Sequence, residues 1–135
     1  NCAYCMEGEL VAKFGIKICE LETSKVYLFK EQSHPGRCIV AHKKHVGDMN
    51  ELTAEERAAY FEDVARVARA IMKAFNPDKV NYGAYGDTGH HLHFHLCPKY
   101  KDEYEWGGVF LMNPDKKYLT DEEYAAMIEK IKANL

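Results

Sequence analysis

No apolar run in this 135-residue sequence approaches the roughly 18 residues that a membrane-spanning helix needs, so we expect no membrane segment. Basic residues are not in excess, because 18 Lys and Arg stand against 21 Asp and Glu, giving a formal net charge of -3. Proteins that bind nucleic-acid duplexes usually carry a basic excess, so we expect no nucleic-acid partner. Internal repeats and Pro/Gly/Ser-rich linkers are also missing. We therefore predict one soluble domain that spans residues 1–135.

The five cysteines are an odd number, and three of them, Cys19, Cys38 and Cys97, lie in apolar, strand-like segments. This distribution argues against a disulfide framework and for a reducing compartment, so we expect a cytoplasmic protein. Cys2 and Cys5 have the Cys-x-x-Cys spacing of a metal knuckle. Taken alone, that spacing is equally compatible with a redox role or with chance.

Capping and turn signals divide the sequence into strands and two helices. A capping box begins at Thr53 and precedes an apolar stripe at helical spacing, which predicts a long helix that Asn76-Pro77-Asp78 ends. A second capping box at Thr120 predicts a C-terminal helix to about residue 133. Apolar and β-branched patterns predict strands over 11–22, 25–31, 37–42, 79–85 and 90–97. Because strands and helices do not alternate regularly, we predict an α+β domain in which an antiparallel sheet packs against a long central helix and a C-terminal helix.

The strand predicted over 90–97 carries the clearest chemical signal. Side chains alternate between the faces of a strand, so His91, His93 and His95 share one face, and the apolar residues between them face the core. Three imidazoles on a half-open face are typical either of a metal site or of nucleophilic and acid–base chemistry. The preceding loop, Gly86-Asp87-Thr88-Gly89, offers backbone N–H groups and a hydroxyl that suit a phosphate.

These motifs resemble those of the histidine triad (HIT) family. Residues 91–97, His-Leu-His-Phe-His-Leu-Cys, resemble its His-φ-His-φ-His-φ-φ signature, in which φ is apolar. Residues 86–91 resemble its Gly-Gln-Ser/Thr-x-x-His approach to the triad, and residues 36–45 resemble its Gly-His-x-Leu-Val-x-Pro-Lys-x-His segment. The resemblance extends from Cys2 to about Trp106. It implies a HIT-like fold and a nucleotide hydrolase or transferase.

Residue by residue, the resemblance implies a role for each matched position. His93 would be the nucleophile that forms a covalent nucleotidyl-histidine, and His95 would bind the α-phosphate oxygens. His91 would fix the tautomer of His93 or contact the leaving group. Thr88 would donate to the phosphate, and Asn81 would contact the ribose or phosphate. The implied substrate is a purine nucleotide in a phosphoramidate or a dinucleoside polyphosphate, and no organic cofactor is implied.

Two positions depart from the family pattern. An aspartate usually holds the ribose diol, and Glu31 stands near its place, so we assign Glu31 to the ribose in a reshaped pocket. Asp87 replaces a usual glutamine, which affects the recognition of the leaving group. These departures leave open a second hypothesis, a nucleotide-binding module with little turnover.

Several bacterial-type family members carry a similar Cys-x-x-Cys pair near the start. The resemblance to them implies a closed, structural Zn²⁺ site made by Cys2, Cys5, His45 and His91. A third hypothesis is a zinc-dependent hydrolase that uses all three triad histidines. The resemblance also implies a homodimer with a continuous sheet across the two-fold axis.

Overall fold

A five-stranded antiparallel sheet forms the centre of the computed structural model, which describes residues 2–135. The strands are β1 (Gly15–Glu20), β2 (Ser24–Phe29), β3 (Cys38–His42), β4 (Lys79–Gly83) and β5 (His93–Lys99), in the spatial order β1-β2-β3-β5-β4. The helices are α1 (Ala3–Met6), α2 (Glu9–Ala12), α3 (Ala54–Phe75) and α4 (Asp121–Lys132), and a 3-10 turn covers Met49–Glu51. The predicted α+β class, the long helix and the C-terminal helix are confirmed.

Both predicted capping boxes form. The Thr53 hydroxyl accepts a hydrogen bond from the Glu56 N–H at 3.1 Å, and the Glu56 carboxylate accepts one from the Thr53 N–H at 2.8 Å. These bonds satisfy N–H groups that the start of a helix leaves free, so α3 begins directly after Thr53. It ends at Phe75, and the next residue, Asn76, caps it in a left-handed conformation with φ 51°. Thr120 and Glu123 form the same box at the start of α4.

The first predicted strand has the wrong start. Val11 and Ala12 belong to the short helix α2, and β1 begins only at Gly15. The Phe14 N–H bonds to the Val11 carbonyl at 3.1 Å and so closes a turn between the two elements. The apolar spacing that continues through this turn is what makes the strand look longer in the sequence.

The triad strand is also displaced from its predicted bounds. It begins at His93 rather than at residue 90, because the Leu92 N–H bonds to the Val46 carbonyl at 2.7 Å and so leaves the sheet ladder. It then continues through Pro98 to Lys99. Proline is tolerated there because β3 pairs with β5 only as far as Leu96.

The sheet separates a helical layer from the layer that carries the triad. On one face, α3 and α4 cover the main core, which includes Leu92 and Leu96, two apolar residues that alternate with the histidines, as predicted. Tyr60 of α3 fixes this packing by donating its hydroxyl to the Val40 carbonyl at 2.7 Å. On the other face, a smaller apolar cluster joins the N-terminal segment to β2 and β3. None of the helices formed by residues 2–135 has the length and apolar character needed to cross a bilayer.

Candidate active site and metal centre

The register of β3 and β5 places the triad on the sheet face opposite α3. His95 lies across from Ile39 and His93 across from Ala41, and both partners belong to the smaller apolar cluster. The three histidines, starting with His91, are only 3%, 8% and 2% exposed, so the expected half-open face is instead covered. The covering comes from the N-terminal segment and from residues 109–113, which lie far from the triad in the sequence.

One ring nitrogen of His93 is hydrogen-bonded, and the other is free. Its Nδ1 lies 2.7 Å from the His91 carbonyl oxygen. A carbonyl only accepts, so Nδ1 carries the proton of the neutral ring, and the lone pair of Nε2 stays available. Burial lowers the pKa of His93, although the hydrogen bond to His91 acts against it. A neutral imidazole with a free Nε2 lone pair is a competent nucleophile.

His95 has the opposite tautomer. Its Nδ1 lies 3.0 Å from Nη2 of Arg37, and a guanidinium only donates, so Nδ1 accepts and the ring proton is on Nε2. Burial, followed by the positive charge of Arg37, lowers the pKa of His95 to about 2 and keeps the ring neutral. The His93 and His95 rings are 5.4 Å apart between centroids. The triad therefore presents a free lone pair next to a hydrogen-bond donor.

The remaining triad histidine, His91, belongs to a separate cluster of possible metal ligands. One ligand atom from each of Cys2, Cys5, His45 and His91 lies within 4.8 Å of the others. His91 Nδ1 is 3.1 Å from Cys2 Sγ, 3.5 Å from Cys5 Sγ and 3.1 Å from His45 Nδ1. His91 Nε2 lies 2.6 Å from the His42 carbonyl, so it carries the ring proton and leaves Nδ1 bare.

This cluster fits Zn²⁺ in donor chemistry and in spacing. Bonds of about 2.3 Å to sulfur and about 2.0 Å to nitrogen put neighbouring tetrahedral ligands roughly 3.3–3.8 Å apart, close to the observed separations. The hydrogen bond from His91 to His42 is the kind of outer contact that orients a zinc-bound imidazole. Within residues 2–135, His93 and His95 belong to no such cluster. The three triad histidines therefore do not converge on one metal, which does not favour the zinc-hydrolase hypothesis.

Tyr4 lies between the cluster of possible metal ligands and the triad. It stands in α1 between Cys2 and Cys5, and its side chain is 6% exposed. The centroid of its ring is 5.4 Å from that of His91 and 5.1 Å from that of His93. The N-terminal segment thus forms a wall of the triad site and also supplies Cys2 and Cys5, two of the four possible metal ligands.

A cavity of about 1130 Å³ joins these features. Its lining includes His93 and His95, and also Glu31 and Thr88, which the sequence analysis assigns to nucleotide binding. Apolar side chains supply much of the remaining wall: Tyr4, Phe14, Phe29, Ile39, Val109 and Phe110. A large, mostly apolar cleft with a few converging polar groups is typical of a small-molecule site.

Glu31 is held by four hydrogen bonds. Its Oε1 accepts from the Ser33 N–H at 3.0 Å, and its Oε2 accepts from the Ser33 hydroxyl at 2.6 Å and from the N–H groups of Lys116 and Lys117 at 2.8 and 2.9 Å. Burial acts to raise the pKa of Glu31, but these bonds outweigh it and hold the pKa below its usual value. Only Oε1 has room for a further donor.

Asn81 lies outside the main cavity. It is on β4, opposite Cys97 of β5, and it lines a separate depression of about 350 Å³ with Tyr82, Gly108 and Val109. The structure therefore does not bring Asn81 together with the other residues assigned to the nucleotide.

Three parts of the site are not predicted from the sequence: Tyr4, Arg37 and the segment around Phe110 and Met112. Phe110 and Met112 line the cavity, but their segment has no regular structure and no motif that would reveal it. Arg37 does leave a signal, because a charged residue stands in a predicted buried strand, where the family segment has a histidine. Tyr4 leaves only the weak signal of its place inside Cys-x-x-Cys.

The fold and site define a class: an antiparallel α+β domain with paired, oppositely protonated imidazoles in a covered cavity. Residues 15–102 match the model of the HIT domain family. The chain belongs to that family.

Similar proteins agree with this assignment. The adenosine 5′-monophosphoramidase of Schizosaccharomyces pombe is 26% identical over 144 residues, covering 100% of this chain and 98% of that protein. A histidine triad protein from Sinorhizobium meliloti superposes with a TM-score of 0.87 at 24% identity, with 95% of each chain covered. A Zn-bound histidine triad family protein from Mycobacterium smegmatis superposes with a TM-score of 0.69 at 21% identity, covering 98% of this chain and 94% of that one.

Proposed function

We propose that this protein is a nucleotide hydrolase or transferase that cleaves a nucleoside 5′-phosphate–X bond through a covalent nucleotidyl intermediate on His93. One observation carries the proposal: the free Nε2 lone pair of His93 lies beside the Nε2–H of His95 at the wall of a nucleotide-sized cavity. The general kind of activity agrees with the similarity to the Schizosaccharomyces pombe protein, an adenosine 5′-monophosphoramidase.

The proposed chemistry has two steps. In the first, His93 Nε2 attacks the α-phosphorus, the bond from phosphorus to X breaks, and X leaves with a proton taken from water. The Nε2–H of His95 donates to a phosphate oxygen, whose negative charge grows as the transition state forms. In the second, water attacks the nucleotidyl-histidine, which releases the nucleoside monophosphate and restores His93.

The nucleotide would lie along the cavity. We assign the Thr88 hydroxyl to the phosphate and Oε1 of Glu31 to a ribose hydroxyl, since that oxygen has a free acceptor position. The apolar wall that includes Phe29 and Ile39 suits a purine base. Asn81 would reach the ribose or phosphate only if the segment around Val109 moves.

We propose that Cys2, Cys5, His45 and His91 hold a structural Zn²⁺. When bound, the metal supplies a rigid link between the N-terminal segment and β5, and four protein ligands leave no open position for a substrate. The residues themselves do the rest: the Nε2–H of His91 bonds to the His42 carbonyl, and the carbonyl of His91 holds Nδ1 of His93.

We also propose a homodimer that pairs through β4. β4 is the last strand in the spatial order of the sheet. Large apolar side chains are exposed near this edge, with Tyr82 at 51%, Tyr85 at 46% and Val109 at 85%. An unpaired, apolar sheet edge is a natural pairing surface. Sedimentation analysis should give twice the mass of 15.5 kDa, and a Tyr82→Glu variant should shift it towards the monomer.

The test of the activity is the release of AMP from adenosine 5′-phosphoramidate. Wild type should turn over, and His93→Ala should lose at least about 10³-fold in kcat, as expected for a covalent nucleophile. Met72→Ala, on the exposed side of α3, is the control and should keep full activity. Wild type denatured in alkali during turnover should carry one nucleotide on His93, because the phosphorus–nitrogen bond of a nucleotidyl-histidine is stable in base and hydrolysed in acid. Equal activity in His93→Ala and wild type would refute the assignment.

The four bonds of Glu31 favour a second candidate, a nucleotide-binding module with little turnover. Three of them occupy Oε2, so the carboxylate offers a ribose only one oxygen rather than two. In that case, calorimetry would detect AMP binding while wild type released no AMP from phosphoramidates or from dinucleoside polyphosphates.

A further inference from the structure

Arg37 is a buried cation without an ionic partner. It is 0% exposed and is the largest fully buried side chain among residues 2–135. Among residues 2–135, no carboxylate forms an ion pair with it. Burying a charge is costly unless other groups compensate for it, so this position must have contacts that an apolar residue could not provide.

Its contacts converge on the triad and on one wall of the cavity. Nη2 donates to His95 Nδ1 at 3.0 Å and to the Met112 carbonyl at 2.9 Å, and Nη1 donates to the Leu111 carbonyl at 3.0 Å. The guanidinium carbon lies 4.2 Å from the ring centroid of Phe29 and 4.8 Å from that of Phe110. Carbonyl dipoles and aromatic faces thus solvate the charge in place of water.

These contacts determine what His95 can do. A neutral imidazole has one N–H and one lone pair, and a guanidinium can only donate. With Arg37 at Nδ1, the proton is held on Nε2, at the other side of the ring. Without that donor, Nδ1 is free to take the proton, and Nε2 would then face a phosphate oxygen with a lone pair, which repels it.

We infer that Arg37 is a positioning residue, which sets the Nε2–H tautomer of His95 and joins residues 111–112 to that ring. This inference rests on the proposed function for its kinetic consequence, but the tautomer itself can be measured without any substrate. A lysine would keep the charge, yet its ammonium lacks the planar fork that contacts the ring and two carbonyls at once.

The first experiment is an NMR measurement of imidazole nitrogens in the full chain, labelled with ¹⁵N-histidine. Long-range proton–nitrogen correlations should show His95 in wild type with a protonated Nε2 and a bare Nδ1, the signal being assigned through its loss in His95→Gln. In Arg37→Met, the His95 signals should shift to the Nδ1–H form or to a mixture. Arg69→Met, which removes an exposed arginine of α3, should leave them unchanged.

Folding of the variant does not decide whether the inference can be tested. If Arg37→Met does not fold, the wild-type spectrum alone is decisive, because a protonated Nδ1 on His95 would overturn the inference. A folded Arg37→Met with an unchanged Nε2–H tautomer would overturn it as well. Arg37→Lys should retain the tautomer in part, since it keeps one donor.

The second experiment measures kinetics with adenosine 5′-phosphoramidate. Loss of one oriented donor to a developing oxyanion should lower kcat and kcat/KM together by about 10²-fold in Arg37→Met, with partial recovery in Arg37→Lys. A normal kcat in a variant with an altered tautomer would refute the positioning role. If wild type itself is inactive, the proposed function fails, and the NMR result still decides the tautomer.

Discussion

Loss of one ligand from the Cys2/Cys5/His45/His91 cluster should weaken zinc binding by a calculable amount. Structural zinc sites with four ligands bind with about 10–16 kcal/mol, which is about 2.5–4 kcal/mol for each ligand. Cys5→Ala removes one of the four atoms that lie within 4.8 Å of one another. We therefore expect the dissociation constant for Zn²⁺ to rise about 10²- to 10³-fold.

The weaker zinc binding should also lower the thermal stability of the variant. At zinc concentrations that saturate wild type, the variant loses about 2.7–4.1 kcal/mol of stabilisation by bound metal. An unfolding entropy of about 2.1 cal/mol/K per residue gives about 0.28 kcal/mol/K for a chain of this size, so Tm should fall by about 10–15 °C. The effect should shrink when both proteins are measured in excess chelator, because wild type then loses its metal too.

Scanning calorimetry with metal analysis is the assay, and Cys19→Ala is the matched control. Cys19 lies half-buried on β1, outside the cluster, so its loss should leave the zinc content at one per chain. The assignment of Cys5 as a zinc ligand is refuted if Cys5→Ala retains one tightly bound zinc, or if its Tm in the presence of zinc equals that of Cys19→Ala. Zinc that survives this change but is lost in His93→Ala would instead support the zinc-hydrolase hypothesis.

Three further changes test the surrounding structure. Gly36→Ala should lower the free energy of unfolding in urea by about 1–3 kcal/mol. Gly36 has φ +94°, and an added Cβ would lie 2.6 Å from Cδ2 of Phe75. An unchanged urea midpoint would contradict this prediction. Tyr60→Phe should lower the free energy of unfolding by about 1–2 kcal/mol with an unchanged m-value, because the Val40 carbonyl loses its 2.7 Å donor. An unchanged free energy of unfolding would show that this hydrogen bond makes no net contribution to stability. The depressed pKa of His95, about 2 against 6.5 when unfolded, means that the unfolded chain binds the extra proton, so stability is lost as the pH falls below 6.5. His95→Gln should therefore show a shallower fall between pH 6 and 4, by up to about 1.4 kcal/mol per pH unit, and equal slopes would contradict the buried neutral state.

Local patterns predicted most of the fold. The capping boxes at Thr53 and Thr120 predict helix starts because their hydrogen bonds join residues within four positions of each other. The alternation around His93 predicts the two faces of a strand, since it too depends only on neighbouring residues. Strand ends were predicted less well. β5 starts late because Leu92 bonds to Val46, a contact between distant residues that no local pattern encodes.

The site was predictable only where its chemistry lies on a motif. The HIT-like spacing predicted both the triad and the set of possible metal ligands. The structure places those ligands, Cys2, Cys5, His45 and His91, together. The cover over the triad was not predictable, since residues 109–113 reach it without regular structure. Asn81 illustrates the opposite case: its strand was predicted, but its position on the edge strand places it outside the main cavity, and its contact with the nucleotide stays a prediction.

The three triad histidines have the same side chain, and their partners assign them different tasks. A carbonyl holds the proton of His91 on Nε2 and so leaves Nδ1 bare beside Cys2, Cys5 and His45, the other ligands of the proposed zinc site. Another carbonyl, that of His91 itself, holds the proton of His93 on Nδ1 and frees Nε2, the nitrogen that we propose as the nucleophile. For His95 the partner is a donor, Arg37, which reverses the choice again. A carbonyl in place of Arg37 would give His95 the same tautomer as His93, and two lone pairs would then face one phosphate. Because the partners of His91 and His95 come from outside the triad motif, the motif can be present in a chain while the proton arrangement that our proposed mechanism needs is not.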